Sequence, residues 1–210
     1  GNAVWAWGNA AELADEGEAE ALAASALVNR GRLLMGLGEP ADAVESLEPA
    51  LEKARRNADD VGLLTDAIHM LGRARTMAGD ESGFAQFDEV AALAAQHEAH
   101  WLAADVIDSR GRAHAQFGRI DDAVRELLAA ADAFTAIGDD GSAGGAELFA
   151  ARSLVRAERP EDAVAIYRAV VERSAAAPGL RQVAALELGD VLEGLGRHGE
   201  AAQAREAAGA

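Results

Sequence analysis

The residues with the clearest capacity for chemistry are four arginines spaced by about forty residues. Arg32, Arg73, Arg112 and Arg152 each follow a small residue within a segment of helical periodicity, and Asp190 takes the same place in a fifth segment. Guanidinium groups in a row suit carboxylates or backbone carbonyls, because their planar fork bonds such acceptors in pairs. We therefore expect these four residues, here called the arginine series, to bind an acidic peptide.

Other polar residues fall on the same stripe of these predicted helices. Asn29, His69 and Asp108 come one turn before members of the arginine series, and Arg156 comes one turn after its last member. The candidate binding residues are Asn29, Arg32, His69, Arg73, Asp108, Arg112, Arg152, Arg156 and Asp190. The alternative is that each arginine pairs with an aspartate of its own chain and only stabilises the fold. The aspartates available for this are Asp66, Asp105, Asp108 and Asp190.

No pattern typical of a catalytic or metal site accompanies these residues. Paired carboxylates such as Asp121 and Asp122 fall at predicted helix boundaries, where capping explains them. The sequence has no cysteine, and His97 and His100 lack the two further ligands that a metal ion would need. The glycine-rich stretch 141–145 lacks the Lys-Ser/Thr of a phosphate loop. We expect no catalytic residue, no metal and no cofactor, and therefore a protein that is not an enzyme.

The elements that must position the arginine series are pairs of amphipathic helices. Residues 101–140 show the unit best, with apolar residues at three- and four-residue spacing, a glycine stop, and a second such segment. Small residues recur inside the first helices at Gly31, Gly72, Gly111, Ala151 and Gly189. Turn markers recur at Gly38, Gly79, Gly118, Glu158 and Gly196. Because both sets keep the same irregular spacing, the sequence predicts five helix pairs.

This repeat divides the chain into six predicted segments. They are an N-terminal capping helix or partial repeat at 1–17 and helix pairs at 18–58, 59–98, 99–140, 141–178 and 179–210, the last with a short C-terminal helix. One pair cannot bury its own apolar face, so we expect the pairs to stack. Trp5 and Trp7 are expected to pack in the interior, with a ligand cage as the alternative.

Composition restricts the class of protein further. A chain of 210 residues that is 50% hydrophobic can bury a substantial core in one or two domains. The net charge of −17 argues against direct binding to nucleic-acid phosphates. No apolar run is long enough for a membrane span and no signal peptide is recognisable, so we expect no membrane partner and a cytoplasmic location.

The pattern resembles the tetratricopeptide repeat (TPR) family. Gly111, Gly118, Ala123, Leu127 and Ala130 match the family's small residue in the first helix, its turn glycine, and the alanine, large residue and alanine of the second helix. Residues 31–50 match equally well, and the resemblance covers about residues 18–208. The step near forty exceeds the basic unit of about 34 residues. It resembles the long-helix variety of polarity adaptors, kinesin light chains and bacterial transcriptional regulators.

The resemblance implies an all-α fold, a right-handed α-solenoid superhelix of stacked antiparallel helix pairs. The position of the arginine series faces a concave groove in this family. We therefore predict a non-catalytic protein–protein interaction scaffold that binds a peptide or helix in its groove, an acidic one if the arginine series carries the binding. The alternative is an effector-sensing regulatory domain of a larger transcriptional regulator or signalling ATPase. Self-association through the terminal helices is a further open possibility.

Overall fold

The computed structural model describes residues 2–16, 19–173 and 178–209, and all regular secondary structure in these residues is α-helical. The helices are α1 Asn2–Glu16, α2 Glu20–Gly36, α3 Pro40–Arg56, α4 Val61–Met77, α5 Gly83–Gln96, α6 His100–Gln116, α7 Ile120–Ala136, α8 Asp140–Arg156, α9 Pro160–Arg173, α10 Pro178–Gly194 and α11 His198–Ala208. The predicted segment boundary between residues 17 and 18 lies outside the described residues.

The helices form two compact units, Gly1–Ala99 and His100–Ala210. In the first unit α1 packs on α2, α2 pairs with α3, and α4 pairs with α5. In the second unit α6 pairs with α7, α8 with α9, and α10 with α11. We call the first helix of each pair (α2, α4, α6, α8, α10) a helix A and the second (α3, α5, α7, α9, α11) a helix B. Within each unit, successive pairs pack on each other, so each unit is an all-α stack of helix pairs, as predicted.

One residue in the left-handed conformation sets each turn between helix A and helix B. The five are Gly38, Gly79, Gly118, Glu158 and Gly196, with φ between 58° and 85°. The chain then turns back on helix A: the amide of Arg159, for example, donates to the carbonyl of Leu154 at 2.9 Å. This bond is typical of helix C-terminal caps. The turn markers in the sequence therefore mark real turns, including the one that lacks glycine.

Helix A and helix B of a pair cross at the small residue. A Cβ atom added to Gly31 would lie 2.5 Å from Cγ of Leu47, and one added to Gly111 would lie 2.7 Å from Cγ of Leu127. Both leucines are fully buried. Because any side chain at the two glycines would collide with them, glycine is what lets these helix backbones approach closely.

Arginines in the turns connect successive pairs of the second unit. Arg159 donates to Asp121 of the preceding helix B at 2.6 Å and to Asp162 of its own helix B at 2.8 Å. Arg197 repeats the arrangement, with a bond of 3.0 Å to Glu161. Exposed ion pairs of this kind contribute little to stability. Their main effect is to fix the register between one pair and the next.

The predicted interior position of the N-terminal tryptophans is wrong. Trp5 is 69% exposed and Trp7 is 40% exposed. The buried residue of α1 is Ala11, which is 4% exposed. α1 therefore covers α2 with a small side chain, and the two indoles project from the rest of its surface.

The turn without glycine gives a stability prediction. A residue with a side chain in the left-handed conformation costs about 1 kcal/mol. Glu158→Gly is therefore expected to raise the free energy of unfolding by about 0.5–1 kcal/mol, measured by urea denaturation followed by circular dichroism.

The matched control is Gly118→Ala in the equivalent turn. A Cβ atom there would meet no other atom within 4 Å, so only backbone strain changes. We expect a loss of similar size. A Glu158→Gly variant that is less stable than the wild type would contradict this account of the turns.

Candidate functional site

In the first unit, Arg32 lies on α2, the first helix A. Its Nη2 atom donates to both carboxylate oxygens of Asp66 on α4, at 2.8 and 3.0 Å, and its Nη1 atom donates to Oδ1 of Asn29 at 3.1 Å. The side chains of Arg32 and Asp66 are 51% and 41% exposed, so the pair contributes little to stability. It does neutralise the Arg32 guanidinium, because the carboxylate is bound in bidentate fashion.

His69 lies in the interior, although the sequence placed it among the groove residues. It is 2% exposed, and its ring packs edge-on against Phe87 with 6.0 Å between ring centroids. Burial, and then the charges of Arg73 and Arg32, lower the pKa of His69 to about 3. The imidazole is therefore neutral near pH 7, and it adds no charge to this face.

Arg73 follows His69 by one turn and differs from the other members of the arginine series. Its side chain is half-buried. Among the residues that the structure describes, its guanidinium has no hydrogen-bond or ion-pair partner. Arg73 therefore keeps its donors available for an acceptor from outside the chain.

In the second unit, Arg112 is bonded within its own helix. Its Nε atom donates to Asp108 at 2.5 Å and its Nη2 atom donates to the same carboxylate at 3.1 Å. The guanidinium also lies 4.3 Å from the ring centroid of Phe149 on α8, and Arg156 lies 5.4 Å from the same centroid. Both distances are typical of cation–π contacts. Asp108 is only 9% exposed, so the two bonds from Arg112 replace contacts that its carboxylate would otherwise make with water.

A cavity of about 350 Å³ opens beside Arg156. Its walls are mostly small and apolar, from Ala115, Ile120 and Ala157. Arg156 is exposed, and the described residues offer its guanidinium no carboxylate. Like Arg73, Arg156 is therefore a cation on a helix A without a carboxylate partner among the described residues.

Arg152 connects three helices of the second unit. On α10, Glu187 accepts bonds from Arg152 Nε at 2.9 Å and from Nη2 at 2.5 Å. The hydroxyl of Tyr167 on α9 donates to the same carboxylate at 3.0 Å. The bond from Arg152 is the largest cause that lowers the pKa of Glu187. Burial, followed by the charge of Glu187, raises the pKa of Tyr167.

Asp190 does not contact any member of the arginine series in a bond that the structure shows. Its Oδ1 atom accepts a bond of 3.1 Å from Nη2 of Arg205 on α11, and its side chain is 77% exposed. The structure thus brings Asn29, Arg32 and Arg73 near His69 in one unit. In the other unit it brings Asp108, Arg112 and Arg156 together around one aromatic ring. Three of the four arginines are already paired with carboxylates of their own chain.

Phe149 and Glu187 contact the arginine series but were not predicted from the sequence. Both come two positions before the small residue of their helix, at Ala151 and Gly189, and each contacts the arginine of the preceding helix A. Asn29 has the same register position in α2. The position also holds Met70 in α4 and Ser109 in α6, so no single residue type marks it in the sequence.

Neither a metal site nor a membrane-spanning helix is found among the residues that the structure describes. Within the described ranges, no group of three or more His, Cys, Asp or Glu side chains could hold a metal ion. The helices of the same ranges include none that is long and apolar enough to cross a membrane.

The chain is similar to solved structures, although it matches no family model and no curated protein. The nearly identical TPR-like repeats of a protein described as a kinesin light chain of Podosopora anserina superpose with a TM-score of 0.68 at 18% identity, over 88% of this chain and 92% of that one. BtubC (BKLC) from P. vanneervenii superposes with a TM-score of 0.73 at 13% identity, over 99% of this chain and 88% of that one.

The chain has a TPR-like helical-repeat fold. The predicted resemblance is thereby confirmed for the fold. TPR-like repeats are typical of protein–protein interaction scaffolds, since stacked repeats offer an extended surface to a partner.

The buried imidazole gives a prediction for pH dependence. The folded pKa of His69, about 3, lies below the ordinary value of 6.5, so the unfolded chain takes up the proton first as the pH falls. The stability contributed by neutral His69 is complete above pH 6.5 and is lost between about pH 6.5 and pH 3. The loss is up to about 1.4 kcal/mol per pH unit.

We therefore expect His69→Gln to weaken the decline of the unfolding free energy with falling pH, measured by urea denaturation at intervals from pH 7 to pH 4. His198→Gln is the control, because the His198 side chain is 71% exposed. If the His69→Gln variant and the wild type decline in parallel, His69 is not a neutral buried group.

Proposed function

We propose that the chain is a non-catalytic protein-interaction scaffold that binds a peptide or helix along its A helices. Support comes from the TPR-like fold, whose repeats commonly bind extended or helical segments of other proteins. The proposal includes a cytoplasmic setting and no cofactor, metal or nucleic acid.

The proposal rests on a difference in pairing: some arginines of the A helices are bonded to carboxylates of the chain and others are not. Arg32, Arg112 and Arg152 are bonded to carboxylates. Arg73 and Arg156 have no such partner among the described residues. A guanidinium without an internal acceptor gains more from a partner's carboxylate than one that must first give up a bond. We therefore assign the recognition of acidic residues to Arg73 and Arg156 rather than to the whole arginine series.

The net charge of the chain restricts the kind of partner segment that can bind. A chain with a net charge of −17 repels a uniformly acidic molecule. At physiological ionic strength the repulsion is screened beyond about 8 Å, so a local contact with one or two carboxylates remains favourable. The partner segment is therefore one with a few acidic residues among neutral and apolar ones. Phe149 and the apolar cavity beside Arg156 suit such neighbours.

The test is affinity capture from an extract of the source cell with immobilised protein. Arg73→Gln with Arg156→Gln removes the charges of the two assigned arginines and keeps most of each aliphatic stem for packing. We expect the yield of the captured partner to fall at least about tenfold, because bonds between charged groups are lost. The thermal midpoint is expected to stay within about 2 °C of the wild type.

The matched control is Arg55→Gln with Arg125→Gln, which changes the net charge equally. Arg55 lies on α3 and Arg125 on α7, so both are on B helices, one in each unit. An equal loss of partner with the control, or no loss with the test variant, would contradict the assignment. A sensor domain, the alternative function, predicts instead that a small effector added to the extract displaces the partner.

A further inference from the structure

The cavity beside Arg156 has the size and the lining of a site for a small molecule. It measures about 350 Å³ and lies in the second unit, between the turn that joins α6 to α7 and the C-terminal end of α8. The residues that line it are Ala115, Gly118, Ile120, Ser153, Arg156 and Ala157. Small-molecule sites are typically clefts of about 300–1,000 Å³ with mostly apolar walls and a few polar groups.

The cavity is open because three of its lining residues are small. They are Ala115, Ser153 and Ala157. Counted from the small residue of each helix A, their equivalents one pair later are Val155, Val191 and Leu195. These larger side chains pack against the hydrophobic core of the second unit. In the next pair the chain's own side chains therefore take up the space that is open here.

The charge in the cavity comes from one guanidinium. Among the described residues that line the cavity, Arg156 alone is charged. Its guanidinium lies 5.4 Å from the ring centroid of Phe149, a contact that leaves its N–H donors available. The hydroxyl of Ser153 donates to the carbonyl of Phe149 at 2.7 Å, so its hydrogen is already bonded. The cavity therefore offers one positive charge beside apolar surface.

This combination favours a ligand with one negative charge and an aliphatic chain. A guanidinium binds a carboxylate through two parallel hydrogen bonds. A phosphate monoester carries a charge of about −1.5 to −2 near pH 7, and a chain with a net charge of −17 disfavours the additional negative charge. The walls formed by Ala115, Ile120 and Ala157 favour burial of aliphatic groups.

We propose that this cavity binds a small aliphatic carboxylate. The carboxylate pairs with Arg156, and the aliphatic chain packs against Ala115, Ile120 and Ala157. Binding of such a ligand requires no protein partner, so it goes beyond the function proposed above. Both use Arg156, however, and a bound ligand occupies the donors that a carboxylate of a partner segment would need.

The experiment titrates the full chain with isocaproate and follows the backbone amide resonances by NMR. Isocaproamide is the neutral control, because it has the same aliphatic chain without the charge. Acetate has the charge without the long chain. We expect saturable shifts at Gly118 and Ala157 with isocaproate. Its dissociation constant is expected to be at least about tenfold below those of isocaproamide and acetate.

Variants locate the ligand. Arg156→Gln is expected to remove the preference for isocaproate over isocaproamide. Arg125→Gln is the matched control, because Arg125 lies on α7 outside the cavity and its side chain is 66% exposed; it is expected to change nothing. Ala157→Leu introduces the side chain that Leu195 has in the next pair, and Ala115→Val fills the cavity from α6. Each is expected to weaken binding at least about tenfold, with the fold verified by circular dichroism.

Three results would overturn the proposal: no saturable shift with isocaproate, equal affinity for isocaproate and isocaproamide, or binding that Arg156→Gln leaves unchanged. A peptide with leucine beside glutamate that shifts the same resonances, where isocaproate does not, would make a partner segment the occupant and would also overturn it. Because the titration contains no partner, its failure leaves the capture experiment under Proposed function unaffected. Arg73→Gln, in the first unit, is expected to bind isocaproate normally.

Discussion

The close crossing of helix A on helix B is the constraint on which the rest of this structure depends. At Gly31, Gly72 and Gly111 an added Cβ atom would lie within 3.0 Å of a side chain of the facing helix. The facing residue is Leu47, Phe87 or Leu127, and each is fully buried. This contact fixes how far each helix can slide along its neighbour. It therefore fixes which residues of successive A helices meet.

Charge pairing on the A helices follows from that fixed register. Arg32 reaches Asp66 on the next helix A, and Arg152 reaches Glu187 on the next helix A of its unit. Arg112 instead bonds Asp108 and lies over Phe149. A row of arginines that looks uniform in sequence is thus divided into neutralised members and one that keeps its donors. Recognition of a partner by such a surface depends on the arginines that are not neutralised.

Local features of the fold could be predicted from the sequence, and relations between helices could not. The turn at Glu158 was predicted from spacing alone, and its φ of 58° confirms it even though glycine is missing. The partners of Arg32 and Arg152 depend on the axial offset between consecutive A helices, which periodicity does not encode. The exposure of Trp5 depends on which helix packs beside α1. The burial of His69 could not be predicted either, because helical periodicity does not distinguish the buried face of a helix from the accessible face beside it.

The division among the arginines can be measured directly from the side-chain ¹⁵Nε–¹Hε resonances in the NMR spectrum, assigned with single Arg→Lys variants. The account predicts slow exchange with water for Arg112 and Arg152, whose Nε atoms donate to Asp108 and Glu187. It predicts fast exchange for Arg73 and Arg156 in the unbound chain. Protection of Arg73 or Arg156 equal to that of Arg152, with no partner present, would contradict the claim that these two guanidinium groups are available for recognition.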